Sequence, residues 1–173
     1  MTRRIALVVL LGTLSGCGYS LEGRGITTDP SIKRIGVPLF KDNTGKYDLD
    51  SLVTEAVVSE LLRRGRFTVV KEATGVDAVV DGEILAFDVV PINFTYSGEL
   101  TVATRYAISL SANVTYRKVG QAEPLWADDR YTLRDEYDLD DSADGFFDRE
   151  DQSVQRLAES FARGLVAAML EAF

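Results

Sequence analysis

The chain has 173 residues, with 27 acidic against 19 basic side chains, one cysteine, no histidine and a formal charge of −8. That size suits one domain around a single core, and the acidic balance excludes general nucleic-acid binding, which needs clustered Lys and Arg against phosphates. The missing histidine removes the commonest general base and with it every Ser-His-Asp or Cys-His scheme. Paired carboxylates are what composition leaves to hydrolysis, and the scattered Asp and Glu show no fixed geometry for it, so a non-catalytic protein without a cofactor is expected.

The first seventeen residues carry the strongest local pattern. Arg3 and Arg4 precede an apolar run from Ile5 to Leu11, and Leu14-Ser15-Gly16-Cys17 follows. A charged start, about ten mostly apolar residues and a small-residue cleavage site describe a secretory signal, too short for a spanning helix of about twenty. The last four residues resemble a bacterial lipobox, in which the thiol is acylated and the peptide is cut before the cysteine. Cys17 is therefore the expected lipidation site. Residues 1–16 are read as signal peptide, 17–31 as a lipid-anchored tether and 32–173 as a single domain. Removing sixteen residues from 173 leaves 157, and losing Arg3 and Arg4 takes the charge from −8 to −10. With the thiol acylated no disulfide forms, so the fold must rest on packing.

In Ile32 to Phe40, residues Ile35, Val37 and Leu39 share one face at period two, predicting a strand that Pro38 places at an edge or an end. Lys41 to Lys46 reads as a turn. From Tyr47 to Arg64 the period lengthens: Leu49, Leu52, Val53, Ala56, Val57 and Leu61 form a helical stripe, and Gly65 is placed to end it. Phe67 to Val70 and Ala78 to Val90 are strand material that Pro91 closes. Thr104 to Arg117 alternates strictly, with Tyr106, Ile108, Leu110, Ala112, Val114 and Tyr116 on a dry face and Arg105, Ser109, Ser111, Asn113, Thr115 and Arg117 on a wet one. A turn through Gly120 leads to an antiparallel partner at Leu125 to Arg134. Acidic Asp135 to Asp148 reads as a loop. The stripe Val154, Leu157, Ala158, Phe161, Leu165, Ala168, Met169 and Ala172 predicts a second helix. The expected fold is α+β, with two helices packed on one face of a four-stranded mixed sheet in the order β-α-β-β-β-α.

Three features are candidates for function. Phe94 and Tyr96 occupy a connection of about twelve residues, longer than a turn needs, and exposed aromatics there suit a partner or acyl chains. Arg105, Arg117, Arg130 and Arg134 lie on two pairing strands and could bind phosphates bidentately, or else form a charge ladder with neighbours such as Asp128 and Asp129. Asp140, Ser142 and Asp144 alternate before Gly145, with Asp148 and Asp151 beyond. That pattern resembles an EF-hand calcium loop, although it closes on Asp rather than Glu, and its carboxylates equally serve as a solvated helix start.

Cys17-Gly18-Tyr19-Ser20-Leu21 with Gly23-Arg24-Gly25, the strand Val37-Pro38-Leu39-Phe40 followed by Asn43-Thr44, the helix from Leu49 and the run Val76-Asp77-Ala78-Val79-Val80-Asp81-Gly82-Glu83-Ile84 resemble the LptE family of lipopolysaccharide-assembly lipoproteins. The resemblance implies a partner, the outer-membrane β-barrel LptD, in which the lipoprotein sits as a plug, and a ligand, lipopolysaccharide. It further implies a lipid-anchored protein at the outer membrane facing the periplasm, since Gly18 rather than Asp follows the acylated cysteine. The segments that carry ligand-binding basic residues in relatives read here as Asn93 to Glu99 and Asp140 to Asp148, without Lys or Arg. Lipopolysaccharide contact would then use other groups. A subunit or regulator of a different envelope secretion machine with similar architecture is the alternative expectation.

Overall fold

The computed structural model describes residues 29–64, 66–97, 100–138 and 145–171. Its elements run β1 (Arg34–Gly36), β2 (Lys41–Asp42), α1 (Leu49–Arg63), β3 (Thr68–Val70), β4 (Ala78–Ser97), β5 (Leu100–Lys118), β6 (Trp126–Asp138) and α2 (Gly145–Glu171). One mixed sheet of six strands has the order β3-β1-β4-β5-β6, with β2 pairing β4 beside β1. The pairs β1–β3, β1–β4 and β2–β4 are parallel, whereas β4, β5 and β6 form an antiparallel meander.

Both helices lie on one sheet face, as the two stripes require. Val53, Val57 and Leu61 of α1 and Leu157, Phe161, Leu165 and Met169 of α2 join Ile108, Leu110, Ala112, Val114 and Tyr116 of β5 in one buried cluster. Tyr131 of β6 meets Phe161 edge-on at 5.0 Å, and Trp126 packs against Tyr131 at the sheet's edge. The sheet has six strands rather than four because Lys41–Asp42, expected within a turn, gains a ladder neighbour, and Thr68–Val70, expected as strand material with Ala78 to Val90, forms a separate strand beside β1. Such short segments carry no periodicity of their own. They become strands by pairing with Glu83–Ile84 and with Arg34–Gly36.

Two further boundaries differ from expectation. Pro91 does not close β4, which continues to Ser97 and stays paired with β5 throughout. Proline removes a donor, but beyond Ile84 the other side of β4 has no partner strand among the described residues, so no ladder bond is forfeited there. The register shifts at Ile84/Ala86, Pro91/Asn93 and Asn93/Phe94 absorb the irregularity. The predicted acidic loop is divided as well: Asp135 to Asp138 complete β6, and α2 begins at Gly145.

Asp77 and Thr54 tie the layers together. The Asp77 carboxylate accepts the backbone N–H groups of Lys33 and Arg34 at 2.9 and 2.8 Å, and these two donors hold its pKa below the ordinary value. It thereby fixes the start of β1 against the start of β4. The Thr54 hydroxyl is buried under the turn into β2, where it accepts from Phe40 N–H at 3.0 Å and donates to the Asp50 carbonyl at 2.6 Å. Thr54→Val keeps shape but orphans the Phe40 donor. A loss of about 1–3 kcal/mol is expected, read as a lower denaturant midpoint at unchanged slope, with Thr54→Ser much milder.

Of the expected tether, Asp29 to Ser31 is described and is held to the sheet, since Lys118 donates to the Asp29 carboxylate and to Ser31 Oγ. That ion pair lowers the Asp29 pKa to about 2. Tyr116 and Tyr137 point the other way. Their hydroxyls are buried without a hydrogen-bond partner among the described residues, and desolvation first, then Asp29 beside Tyr116 and Glu150 beside Tyr137, pushes each pKa up to about 12. A phenol raised in the fold stabilises fully below its ordinary value of 10 and ceases to do so as pH rises through 12. Tyrosinate absorbance should therefore show two phenols ionising near pH 12, together with loss of near-ultraviolet dichroism between pH 10 and 12.

Candidate functional site

Beyond the pair Arg105–Asp138 β6 has no further register, and β4 and β5 go on alone from Phe94–Ala103 to Ser97–Leu100. Four residues at about 3.3 Å each carry this two-stranded arm roughly 13 Å past the three-stranded meander. The expected twelve-residue connection is thus mostly paired strand, with Gly98 and Glu99 outside the described residues. Phe94 and Tyr96 stand opposite Ala103 and Thr101 on one face of the ribbon, while Val102 stands opposite Thr95 on its other face. Phe94 is 53% and Tyr96 83% exposed, and Val90, Ile92 and Val102 are exposed too. Between Asp88 and Arg105 the sequence has one charge, Glu99. The arm is a ribbon with apolar groups on both faces and, among the described residues, no strand paired along either edge, and an isolated two-stranded ribbon is at best marginally stable in water.

The four arginines do share one face, but they do not form an empty anion cradle. Arg105 Nε donates to Asp138 Oδ1 at 2.6 Å, with Glu136 at 3.9 Å, and the Asp138 hydrogen bond holds the guanidinium pKa above its ordinary value. Arg134 lies 3.6 Å from Glu136, and Arg117 Nε is 3.1 Å from Asp81. The acidic partners come from across the ladder and from β4 rather than from Asp128 and Asp129. Asp128 instead accepts the Arg130 backbone N–H at 2.8 Å. The Arg130 guanidinium has no ion pair among the described residues, which leaves it the arginine of the four open to an added anion. Between Arg105 and Arg117 the face is small and polar, and Ser111 Oγ meets Thr132 Oγ1 at 2.8 Å across β5 and β6.

The turn expected over Lys41 to Lys46 is found as a loop after β2, and it was not singled out in the sequence as a contact candidate. Residues 43–48 lie beside β4 at Glu83 and Phe87 and beside α2 at Glu150, and the loop is locked by side chains. Asp42 Oδ1 accepts from Thr44 N–H at 2.8 Å and from its hydroxyl at 2.7 Å, Asn43 Nδ2 donates to Glu83 at 2.7 Å, and Lys46 pairs with Glu150 of α2 at 2.7 Å above the Phe87 ring. Gly45 and Asp48 hold positive φ, 73° and 59°. What the loop presents is Tyr47, 93% exposed. Its signal was available as Asp42-Asn43-Thr44-Gly45, an Asx turn followed by a left-handed glycine.

Of the remaining candidates, Cys17 and residues Asp140, Ser142 and Asp144 lie outside the described residues. Asp148 and Asp151 fall on α2, whose helical course from Gly145 occupies the second half of the twelve-residue window. Among the described residues no three acidic side chains gather in a way that could hold a metal ion, and no helix is long and apolar enough to cross a membrane. A groove of about 390 Å³ between the outer sides of α1 and α2 is lined by charges, and its buried carboxylate, Glu60, is already held by Arg63 and Arg64.

Two helices on one face of a mixed sheet, with a two-stranded apolar arm projecting past it, define a small α+β module. The family model of LptE, lipopolysaccharide-assembly, matches residues 32–169, and the chain belongs to that non-enzymatic lipoprotein family. Solved structures with a similar fold include protein XCC0632 from Xanthomonas campestris, at 10% identity and TM-score 0.55, covering 82% of this chain and 85% of that one. The hypothetical protein CT253 from Chlamydia trachomatis is similar at 13% identity and TM-score 0.54, covering 82% and 98%. The rare lipoprotein B from Shewanella oneidensis is similar at 14% identity and TM-score 0.48, covering 81% and 92%. No curated protein matches the chain by sequence.

Proposed function

We propose that this protein is an outer-membrane lipoprotein, anchored through acyl chains on Cys17 and facing the periplasm, that plugs and stabilises the β-barrel LptD and assists lipopolysaccharide assembly at the cell surface. Beside membership of the family, the arm carries this reading. Its two apolar faces call for surroundings on both sides, yet its open edges exclude hydrocarbon, where each unpaired N–H or C=O costs several kcal/mol. The inside of a protein barrel offers apolar wall and hydrogen-bonding groups together. Phe94 and Tyr96 are then contacts to the barrel.

Arg105, Arg117, Arg130 and Arg134 form the proposed polar contact face for the barrel or for lipopolysaccharide phosphates. Arg130 is available directly, and the other three would exchange a carboxylate for a phosphate. The acyl anchor raises the effective concentration of the module beside its partner, and no bond is made or broken. The test is purification of the full-length lipoprotein from outer-membrane extracts. A stoichiometric β-barrel should accompany it, with Cys17 acylated by mass spectrometry, whereas a free monomer in the inner membrane would contradict the proposal.

A further inference from the structure

Among the described residues nine large apolar side chains are exposed, and six of them are Tyr47, Val90, Ile92, Phe94, Tyr96 and Val102. Five belong to the arm and its root. Tyr47 belongs to a different element, and its exposure is not a by-product of mobility. The Asp42 turn, the Asn43–Glu83 hydrogen bond and the Lys46–Glu150 ion pair hold the flanking residues to β4 and α2. Neither glycine nor proline stands at position 47, and nothing in the loop's own hydrogen bonding uses the phenol. An aromatic ring fixed in solvent is ready to bind, because the ordering of its backbone is complete before a partner arrives.

We propose that Tyr47 is a second, preorganised anchor on the protein partner of the arm, seated in an apolar pocket of a polypeptide that supplies an acceptor for its hydroxyl. The occupant is a protein rather than a bilayer surface. Asp48 and Asp50 follow the ring directly, and a chain of formal charge −8 is repelled by anionic headgroups. The arm alone would fix the module at one projecting ribbon. A rigid contact on the helix-side loop adds a second point and so sets its rotation about the arm. This inference rests on the reading of the arm as the element that enters a barrel.

The experiment places a photo-crosslinking benzoyl-phenylalanine at position 47 or at position 96 of the full-length lipoprotein in cells. Both positions should capture the same β-barrel polypeptide. Asp42→Ala, which loosens the loop, should weaken capture from 47 while sparing capture from 96. In detergent, Tyr47→Ala should weaken association with the purified barrel by about tenfold at an unchanged melting temperature. Capture from 96 but not from 47 overturns the inference and leaves the arm's role standing. Capture of lipid or of a different protein from 47 also overturns it, and capture from neither position overturns both readings.

Discussion

Gly82→Val is expected to cost the fold about 3 kcal/mol, read as a large drop in denaturant midpoint. Gly82 lies on β4 opposite Val114, on the sheet face that the helices cover. A Cβ there would overlap one side of the Phe40 ring, which is 1% exposed and seated on the glycine. The ring cannot swing away freely, because its backbone N–H is fixed to Thr54 of α1. Overpacking a closed core costs about 1–3 kcal/mol per insertion and occasionally more, and a β-branched side chain against an immobile ring belongs at the upper end. That is a large share of the roughly 5–15 kcal/mol typical of a domain. Gly82→Ala should be milder, and combining it with Phe40→Leu should recover part of the loss, since the smaller side chain vacates the space. A double-mutant cycle on denaturant midpoints reads this coupling, and purely additive losses would mean that the ring and the glycine do not compete for the same volume.

How much of this architecture was legible in the chain depends on whether a segment earns its structure alone. The strict alternation of β5 declares a strand with one dry face, and both helical stripes declare what they bury. Those three elements were readable because burial on one side leaves a period in the residues themselves. β2 left none, being two residues long and made by its neighbour, while β3, three residues long, was read as strand material but not told apart from the strand that follows it. Pro91 misled for a related reason. A proline forbids a central strand but not one with a free edge, and edge status is a property of the whole sheet. Asp135 to Asp148 looked like one acidic loop because charge dominated the local signal. The alternation of Glu136 with half-buried Asp135 and buried Tyr137 continues β6 through it. Phe94 and Tyr96 were recognised as unusual but placed in a connection. Tyr47 was absorbed into the helix that follows it, since only the folded loop reveals that its ring faces solvent.

Phe94→Ser combined with Tyr96→Ser is expected to abolish stable association with the barrel while leaving the free module's melting temperature within a degree or two. The two consequences separate because of where the rings stand. Neither belongs to the buried cluster, and the ladder of the arm is made by backbone groups that serine retains. Burial of such aromatics at an interface is worth about 2 kcal/mol each at a hot spot, so losing both weakens binding on the order of a thousandfold. Under the proposed function, an acyl anchor on Cys17 would offset part of this in the membrane by confining both partners. The deficit should therefore be greatest for the complex extracted in dilute detergent and smaller in intact cells. Arg130→Ala provides the contrast, because a half-solvated charge contributes little to affinity and much to salt dependence. Were the doubly substituted protein to co-purify with the barrel at wild-type yield, the arm would be a passive extension of the sheet, and the contact would have to be sought on the arginine face.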